Sequence, residues 1–94
     1  MSAGEGRSYL EDLPEGWTLV DDGTAIEKRF DFGSYRAVID FVNEVAEIAE
    51  EEGHHPDMGV HYDHATVRIM THAIGGLSEN DFILAAKIEA RKEA

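Results

Sequence analysis

Five histidines lie between His54 and His72, in a chain of 94 residues that has no cysteine. Histidine is the side chain that both donates and accepts protons near neutral pH without help from its surroundings. His54, His55 and His72 are predicted to converge, because the segment between them reads as a β-hairpin that returns the chain. A cluster of imidazoles on a small acidic protein predicts proton-transfer chemistry at that place.

A metal site is the competing interpretation of the same histidines. Zinc sites take three or four ligands at compact spacing, commonly with two imidazoles one helical turn apart. His61 and His64 do not supply that spacing, because one is expected on a strand and the other in a turn, and no His-Glu-x-x-His pattern occurs. We therefore expect no metal and no cofactor, with both side chains facing solvent. A histidine-rich metal-binding module is a weaker alternative.

Two acidic residues near the cluster each admit two interpretations. Asp81 follows Ser78 at the spacing of a capping box, which favours a structural role, but its carboxylate could also orient the ring of His72. Glu50 lies one helical turn before His54 and could orient a histidine in the same way. It could equally be one more member of the acidic face of its helix, and the choice between these roles is open.

The second predicted hairpin decides where the histidines meet. Its strands run from the residue after Pro56 to Tyr62 and from Ala65 to Thr71, around a turn at Asp63-His64. The predicted pairs are Tyr62 with Ala65, Val60 with Val67, and Met58 with Ile69. A slip of one residue would move the apolar residues to the other face. The same register places His72 opposite His55, although Pro56 lacks an N–H and regular pairing is expected to end near it.

The first predicted hairpin has strands at 17–20 and 25–30. An Asp22-Gly23 pair lies between them, and Asp-Gly is among the strongest hairpin signals. The resulting register sets Leu19 opposite Ile26, so that two apolar residues share one face. Both strands are therefore expected in one antiparallel sheet with the second hairpin.

Capping residues indicate where the helices begin and end. Ser34 is a good N-cap for apolar residues that recur at helical spacing, and Gly53 stands where a C-cap glycine belongs. Ser78 caps a final helix, and a single helical turn is predicted at 9–13, before Pro14. These elements predict an α+β fold: a four-stranded antiparallel sheet with two main helices, plus the short N-terminal turn, packed on one face.

The bulk composition bounds the domain count and the class of protein. Residues 1–8 are expected to be flexible and residues 9–94 to form a single domain. A formal net charge of −12 disfavours direct binding to nucleic acid or to an anionic membrane. No segment is apolar enough to span a bilayer, and the start lacks the regions of a secretory signal. Without cysteine there is no disulfide framework, and we expect a cytoplasmic protein.

A series of motif residues extends from the first long helix to the last. They are Glu50, His54-His55-Pro56, Tyr62, Thr71-His72, Gly75-Gly76-Leu77-Ser78 and Asp81. In combination they resemble the motif of the pterin-4a-carbinolamine dehydratases, and the similarity extends from Gly16-Trp17 to about Glu89. Many members of that family carry tryptophan where this chain has Met58. The resemblance implies the same α+β layout and assembly as a homodimer or homotetramer.

The resemblance also implies an elimination, in which the pterin substrate 4a-hydroxytetrahydropterin loses water to give quinonoid dihydropterin during pterin recycling. A general acid must protonate the departing hydroxyl while a base takes the N5 proton. By position, His54 and His72 would be the acid–base pair, in an order that is left open, and His55 would hold the pterin. The substrate-binding or supporting residues would be Glu50, Pro56 and Asp81.

A non-catalytic binding or assembly protein on the same scaffold is the alternative. The family that this chain resembles includes a transcription coactivator and a bacterial branch similar to a RuBisCO assembly factor. An assembly role would not require three histidines, so their joint presence favours the hydro-lyase, a 4a-hydroxytetrahydrobiopterin dehydratase.

Overall fold

A four-stranded antiparallel sheet with helices on one face organises the chain, which confirms the predicted α+β class. The computed structural model describes residues 1–93, and Ala94, the end of the predicted domain, lies outside them. The elements are α1 (Ala3–Leu10), β1 (Thr18–Val20), β2 (Ala25–Asp31), α2 (Tyr35–Glu52), β3 (Asp57–Val60), β4 (His64–Ile69), a 3₁₀ turn (His72–Ile74) and α3 (Glu79–Glu93). The strand order is β1-β2-β4-β3. No helix within residues 1–93 is long and apolar enough to cross a membrane.

The core lies between the sheet and the two long helices. Along β4, Ala65, Val67 and Ile69 are fully buried, whereas the residues that alternate with them are partly exposed. Helix α2 buries its apolar face, which consists of Val38, Phe41, Val45, Ile48 and Ala49. Each fully buried Val, Ile or Phe side chain contributes about 1.5–3 kcal/mol to folding. The alternation along β4 and the helical stripe of α2 therefore define the two surfaces that pack together.

The first hairpin and the caps of α2 confirm the sequence-based predictions. Leu19 pairs with Ile26, and the turn between β1 and β2 contains Asp22 in the left-handed region, with a φ of 56°. The Ser34 hydroxyl caps α2 by accepting a hydrogen bond from a backbone N–H in its first turn. Gly53 ends α2 in the left-handed conformation that glycine adopts most readily.

The register of the second hairpin differs from the prediction by two residues. The observed partners are Asp57 with Arg68, Met58 with Val67, Gly59 with Thr66, and Val60 with Ala65. The chain turns at Tyr62-Asp63, where the His61 N–H donates to the His64 carbonyl oxygen at 2.9 Å, so the predicted turn at Asp63-His64 is wrong. A shift of two residues keeps every side chain on its face, so the apolar alternation fits both registers equally well.

The new register changes the surroundings of the two hairpin histidines. His64 opens β4 instead of lying in the turn, and its side chain is only 17% exposed. Its ring stacks on that of His61 with 4.1 Å between the centroids. The hydrogen bond from the His64 ring lowers the pKa of the Asp63 carboxyl group. The expectation of solvent exposure therefore holds for His61 and is wrong for His64.

The N-terminal helix α1 lies earlier in the chain than the turn predicted at 9–13. Ser2 and Glu5 form a reciprocal capping box at its start, and the Ser2 N–H that donates to Glu5 lowers the pKa of that carboxyl group. At its other end, the Tyr9 ring stacks on Phe82 of α3 at 5.0 Å. Most of the segment 1–8 is thus helical, and its flexibility stays a prediction.

A buried ion pair joins β2 to α3. Glu89 is 5% exposed, and its carboxylate accepts a hydrogen bond from the Trp17 indole at 2.9 Å and contacts the Lys28 ammonium. Gly16 has a φ of 111°, and a Cβ atom there would lie 2.9 Å from the Lys28 side chain. The lysine therefore reaches Glu89 past a position that only glycine fits without strain.

Replacing Glu89 with alanine is expected to lower the free energy of unfolding by about 3–5 kcal/mol, because the Lys28 ammonium would lose its partner in a buried setting. Urea denaturation measures this change. Glu44→Ala is the matched control, since it removes an exposed partner of Arg91, and its expected cost is about 0–1 kcal/mol. Equal losses in the two variants would contradict the structural role of Glu89.

Candidate active site

The end of α2 positions His54. The Gly53 N–H donates to the Glu50 carbonyl oxygen and the His54 N–H donates to the Ala49 carbonyl oxygen, at 3.4 and 3.1 Å. This pair of hydrogen bonds is the Schellman arrangement, which reverses the chain at a glycine in the left-handed region. The His54 side chain is thereby held against the start of α3 and is 19% exposed.

Asp81 holds the ring of His54. Its side chain is fully buried, and its Oδ1 atom lies 2.5 Å from the His54 Nε2 atom. Its Oδ2 atom accepts hydrogen bonds from the Ser78 N–H at 2.8 Å and from the Thr71 hydroxyl at 2.9 Å. Both sequence-based interpretations of Asp81 therefore apply in part: it binds the Ser78 backbone, and it orients a histidine, which is His54 rather than His72.

His55 has a different environment from its neighbour. Its Nε2 atom lies 2.9 Å from the Glu50 Oε1 atom, and both side chains are exposed, at 62% and 78%. Solvent screens an exposed pair of this kind, so the contact contributes little to folding. Glu50 thus contacts a histidine and is also an exposed acidic residue of α2, so it fits both of its interpretations. Pro56 is half-buried and leads directly into β3.

His72 opens the 3₁₀ turn after β4, and its side chain is exposed. The register that places His72 opposite His55 is wrong, because the observed register is shifted by two residues and β4 ends at Ile69. Its loop is instead closed by backbone hydrogen bonds between Thr71 and Gly76, at 2.9 and 3.4 Å. The residue before His72 thus binds the carboxylate that holds His54, so Asp81 and not a strand ladder links the two segments.

A small cleft of about 150 Å³ adjoins this network. Its lining residues are Glu52, Gly53, His54, Thr71 and Asn80. A larger groove of about 280 Å³ between α2 and α3 is lined by apolar and charged side chains but by no histidine. Because His54 lines the smaller cleft and Asp81 holds its ring, we take this cleft as the candidate active site. Among the described residues, no group of three histidine or acidic side chains could hold a metal ion.

The sequence alone did not identify the side chains of Thr71 and Ser78 as members of this hydrogen-bond network. Their hydroxyl oxygens lie 2.8 Å apart, and Thr71 also binds Asp81, which is ten positions away in the chain. No short-range spacing rule connects residues so far apart across a loop. The Thr71-His72 pair in the motif indicated that the position mattered but not what its hydroxyl group contacts.

Known proteins resemble this chain over most of its length. A family model described as pterin 4 alpha carbinolamine dehydratase matches residues 1–91. A relative from Stenotrophomonas maltophilia (strain K279a), provisionally named pterin-4-alpha-carbinolamine dehydratase, is 54% identical over 92 residues, which are 96% of this chain and 78% of that protein. A relative with the same provisional name from Xanthomonas campestris (strain 8004) is 54% identical over 90% of this chain and 73% of its own length.

Two solved structures share the fold. One, described as a transcriptional coactivator/pterin dehydratase from Brucella melitensis, has a TM-score of 0.88 and 31% identity, over 96% of this chain and 95% of its own. The other, a pterin dehydratase-like protein identified as a RuBisCO assembly factor in the alpha-carboxysome, has a TM-score of 0.70 and 25% identity, over 81% of this chain and 88% of its own. On the family match and the identity of these relatives, the chain belongs to the pterin-4-alpha-carbinolamine dehydratase family.

Proposed function

We propose that this chain dehydrates 4a-hydroxytetrahydropterin to quinonoid dihydropterin by general acid–base catalysis with histidines. The observation that carries the proposal is the His54 ring at the cleft, held at 2.5 Å by the fully buried Asp81 carboxylate. A histidine oriented by a buried carboxylate is the arrangement that enzymes use to position a base. Membership of the family supports the same reaction.

The contact with Asp81 favours His54 as the base. An ionised carboxylate only accepts hydrogen bonds, so a neutral His54 ring must carry its proton on Nε2, the atom that faces Asp81. Its Nδ1 atom then has a free lone pair and can accept the N5 proton of the pterin. As His54 becomes charged, the adjacent carboxylate stabilises the imidazolium that forms.

His72 is the proposed acid. As an imidazolium, it donates a proton to the 4a-hydroxyl group and becomes neutral, while the bond between C4a and that oxygen breaks to release water. The electron pair of the N5–H bond forms the double bond between N5 and C4a, so charge and atoms balance. Exchange with solvent then removes the extra proton from His54 and returns a proton to His72, whose side chain is exposed. Acid and base each contribute about 10²–10⁴-fold to such a reaction.

His55 is the proposed pterin-holding residue, supported by Glu50 and Pro56. The ring of His55 is exposed beside the cleft residue His54, and Glu50 binds its Nε2 atom. A neutral His55 ring that donates to Glu50 presents Nδ1 as an acceptor, which suits the N–H groups of a pterin ring. We also propose that the protein is cytoplasmic. We further propose that it forms a homodimer or a homotetramer, and light scattering of the purified protein measures the number of subunits.

The test of this function is whether the wild-type protein accelerates dehydration of a freshly generated 4a-carbinolamine, followed by absorbance. We expect a rate well above that of buffer and above that of free imidazole at the same histidine concentration, because the site orients its groups. A rate equal to both controls would reject the dehydratase. It would favour instead a binding role, such as those named for the two structural relatives.

A further inference from the structure

We infer that Thr71 is a positioning residue, whose hydroxyl group ties the loop that carries His72 to the carboxylate that orients His54. This inference rests on the proposed function, because it concerns the same two histidines. Thr71 uses three groups at once: its backbone N–H and carbonyl oxygen close the loop on Gly76, and its hydroxyl binds Asp81. Thr71 thus joins the loop that carries His72 to Asp81 at the start of α3.

The direction of each hydrogen bond in this network follows from counting protons. The Asp81 carboxylate only accepts, so the single hydroxyl proton of Thr71 points to Oδ2, over 2.9 Å. The Thr71 oxygen must then accept from the Ser78 hydroxyl, 2.8 Å away. The result is a chain in which Ser78 donates to Thr71 and Thr71 donates to Asp81. Hydrogen bonds connected in this way strengthen one another in a buried setting.

This series of hydrogen bonds fixes the rotation of the Asp81 carboxylate. The two donors on Oδ2, the Thr71 hydroxyl and the Ser78 N–H, hold one oxygen atom, and so the other, Oδ1, faces the Nε2 atom of His54. Without the Thr71 hydroxyl, only the Ser78 N–H would hold Oδ2, and the carboxylate could turn. His54 would then no longer be confined to the tautomer with its proton on Nε2, and less of it would present a free Nδ1 atom.

The test compares Thr71→Val with Thr71→Ser. Valine keeps the shape of threonine but has no hydroxyl group, whereas serine keeps the hydroxyl group and lacks the methyl group. We expect Thr71→Val to lower kcat about tenfold, the effect of one hydrogen bond to a charged group, with KM little changed. Thr71→Ser should retain most of kcat.

A spectroscopic readout separates this inference from the proposed function. Proton–nitrogen correlation spectra of ¹⁵N-labelled histidine report which ring nitrogen carries the proton. We expect the Nε2–H form of His54 in the wild type and in Thr71→Ser, and a mixture of tautomers in Thr71→Val, whether or not the protein dehydrates pterins. Thr71→Ala also lacks the hydroxyl group and should shift the tautomers in the same direction, which covers the case in which Thr71→Val does not fold.

The inference is overturned if the variants without the Thr71 hydroxyl group keep the wild-type tautomer of His54. It is also overturned if Thr71→Ser loses as much of kcat as Thr71→Val, because the methyl group and not the hydroxyl would then matter. If the wild-type protein has no dehydratase activity but Thr71→Val still shows the expected tautomer change, the proposed function is rejected and the positioning role of Thr71 is retained.

Discussion

Asp81→Asn is expected to lower kcat for dehydration by up to about 10⁴-fold while the protein stays folded. Asparagine has the same shape as aspartate, so its carbonyl oxygen can still accept from Thr71 and from the Ser78 N–H. Its NH₂ group would then face His54 where a carboxylate oxygen now stands. Because that group donates, the His54 Nε2 atom must accept, and the ring proton moves to Nδ1. The base is thereby lost with almost no change in geometry.

The measurement is kcat for Asp81→Asn beside that of Asp31→Asn, together with urea denaturation of both variants. Asp31 is 70% exposed and pairs with Arg29 on β2, so its replacement should leave kcat unchanged. A folded Asp81→Asn protein with kcat close to the wild-type value would contradict the role of Asp81. A protein that loses both activity and stability would show that the carboxylate acts mainly on the fold.

His54→Ala and His72→Ala are each expected to lower kcat by about 10²–10⁴-fold, because each removes one of the two proton-transferring groups. The double variant should lose much less than the product of the two single losses, since the groups act together in one step. His61→Ala is the matched control: His61 is exposed at the hairpin turn and should be dispensable. Each kcat is measured in the same dehydration assay.

Added imidazole distinguishes the two histidines. His72 is exposed and His54 is 19% exposed, so a cavity left at position 72 is the easier one for a free imidazole to fill. We expect imidazole to restore a larger share of the rate to His72→Ala than to His54→Ala. A His61→Ala protein as inactive as the two site variants would place the catalytic group elsewhere, and so would full activity in either site variant.

The local elements were predictable because each is specified by neighbouring residues. Ser34 and Gly53 delimit α2 through hydrogen bonds to backbone groups within one turn. Leu19 meets Ile26 because the hairpin turn between them is short. The N-terminal helix was the exception, since its Ser2–Glu5 capping box lies in a segment whose small residues suggested flexibility. Capping at that end outweighs the weak helix propensity of the residues between.

The sequence predicts a set of histidines for the candidate site but not the contacts that those histidines make. The spacing of His54 and His72 on either side of a hairpin was enough to propose that they serve one site. The register that would place His72 opposite His55 does not form, and the apolar pattern could not exclude it, because registers two residues apart bury the same apolar face. The turn at Tyr62-Asp63 decides between them, and the turn-forming residue Asp63 belongs to both the predicted and the observed turn, so it does not distinguish the two registers.

The sequence by itself determined the two hairpins and the two long helices of this protein, the face of each that is buried and the histidines available for proton transfer, because these depend on residues close together in the chain. Only the tertiary structure decided which histidine Asp81 orients and what the Thr71 hydroxyl group binds. Those contacts join the end of α2, the loop after β4 and the start of α3. Their geometry is set by how the helices pack on the sheet, and a local pattern carries no information about that packing.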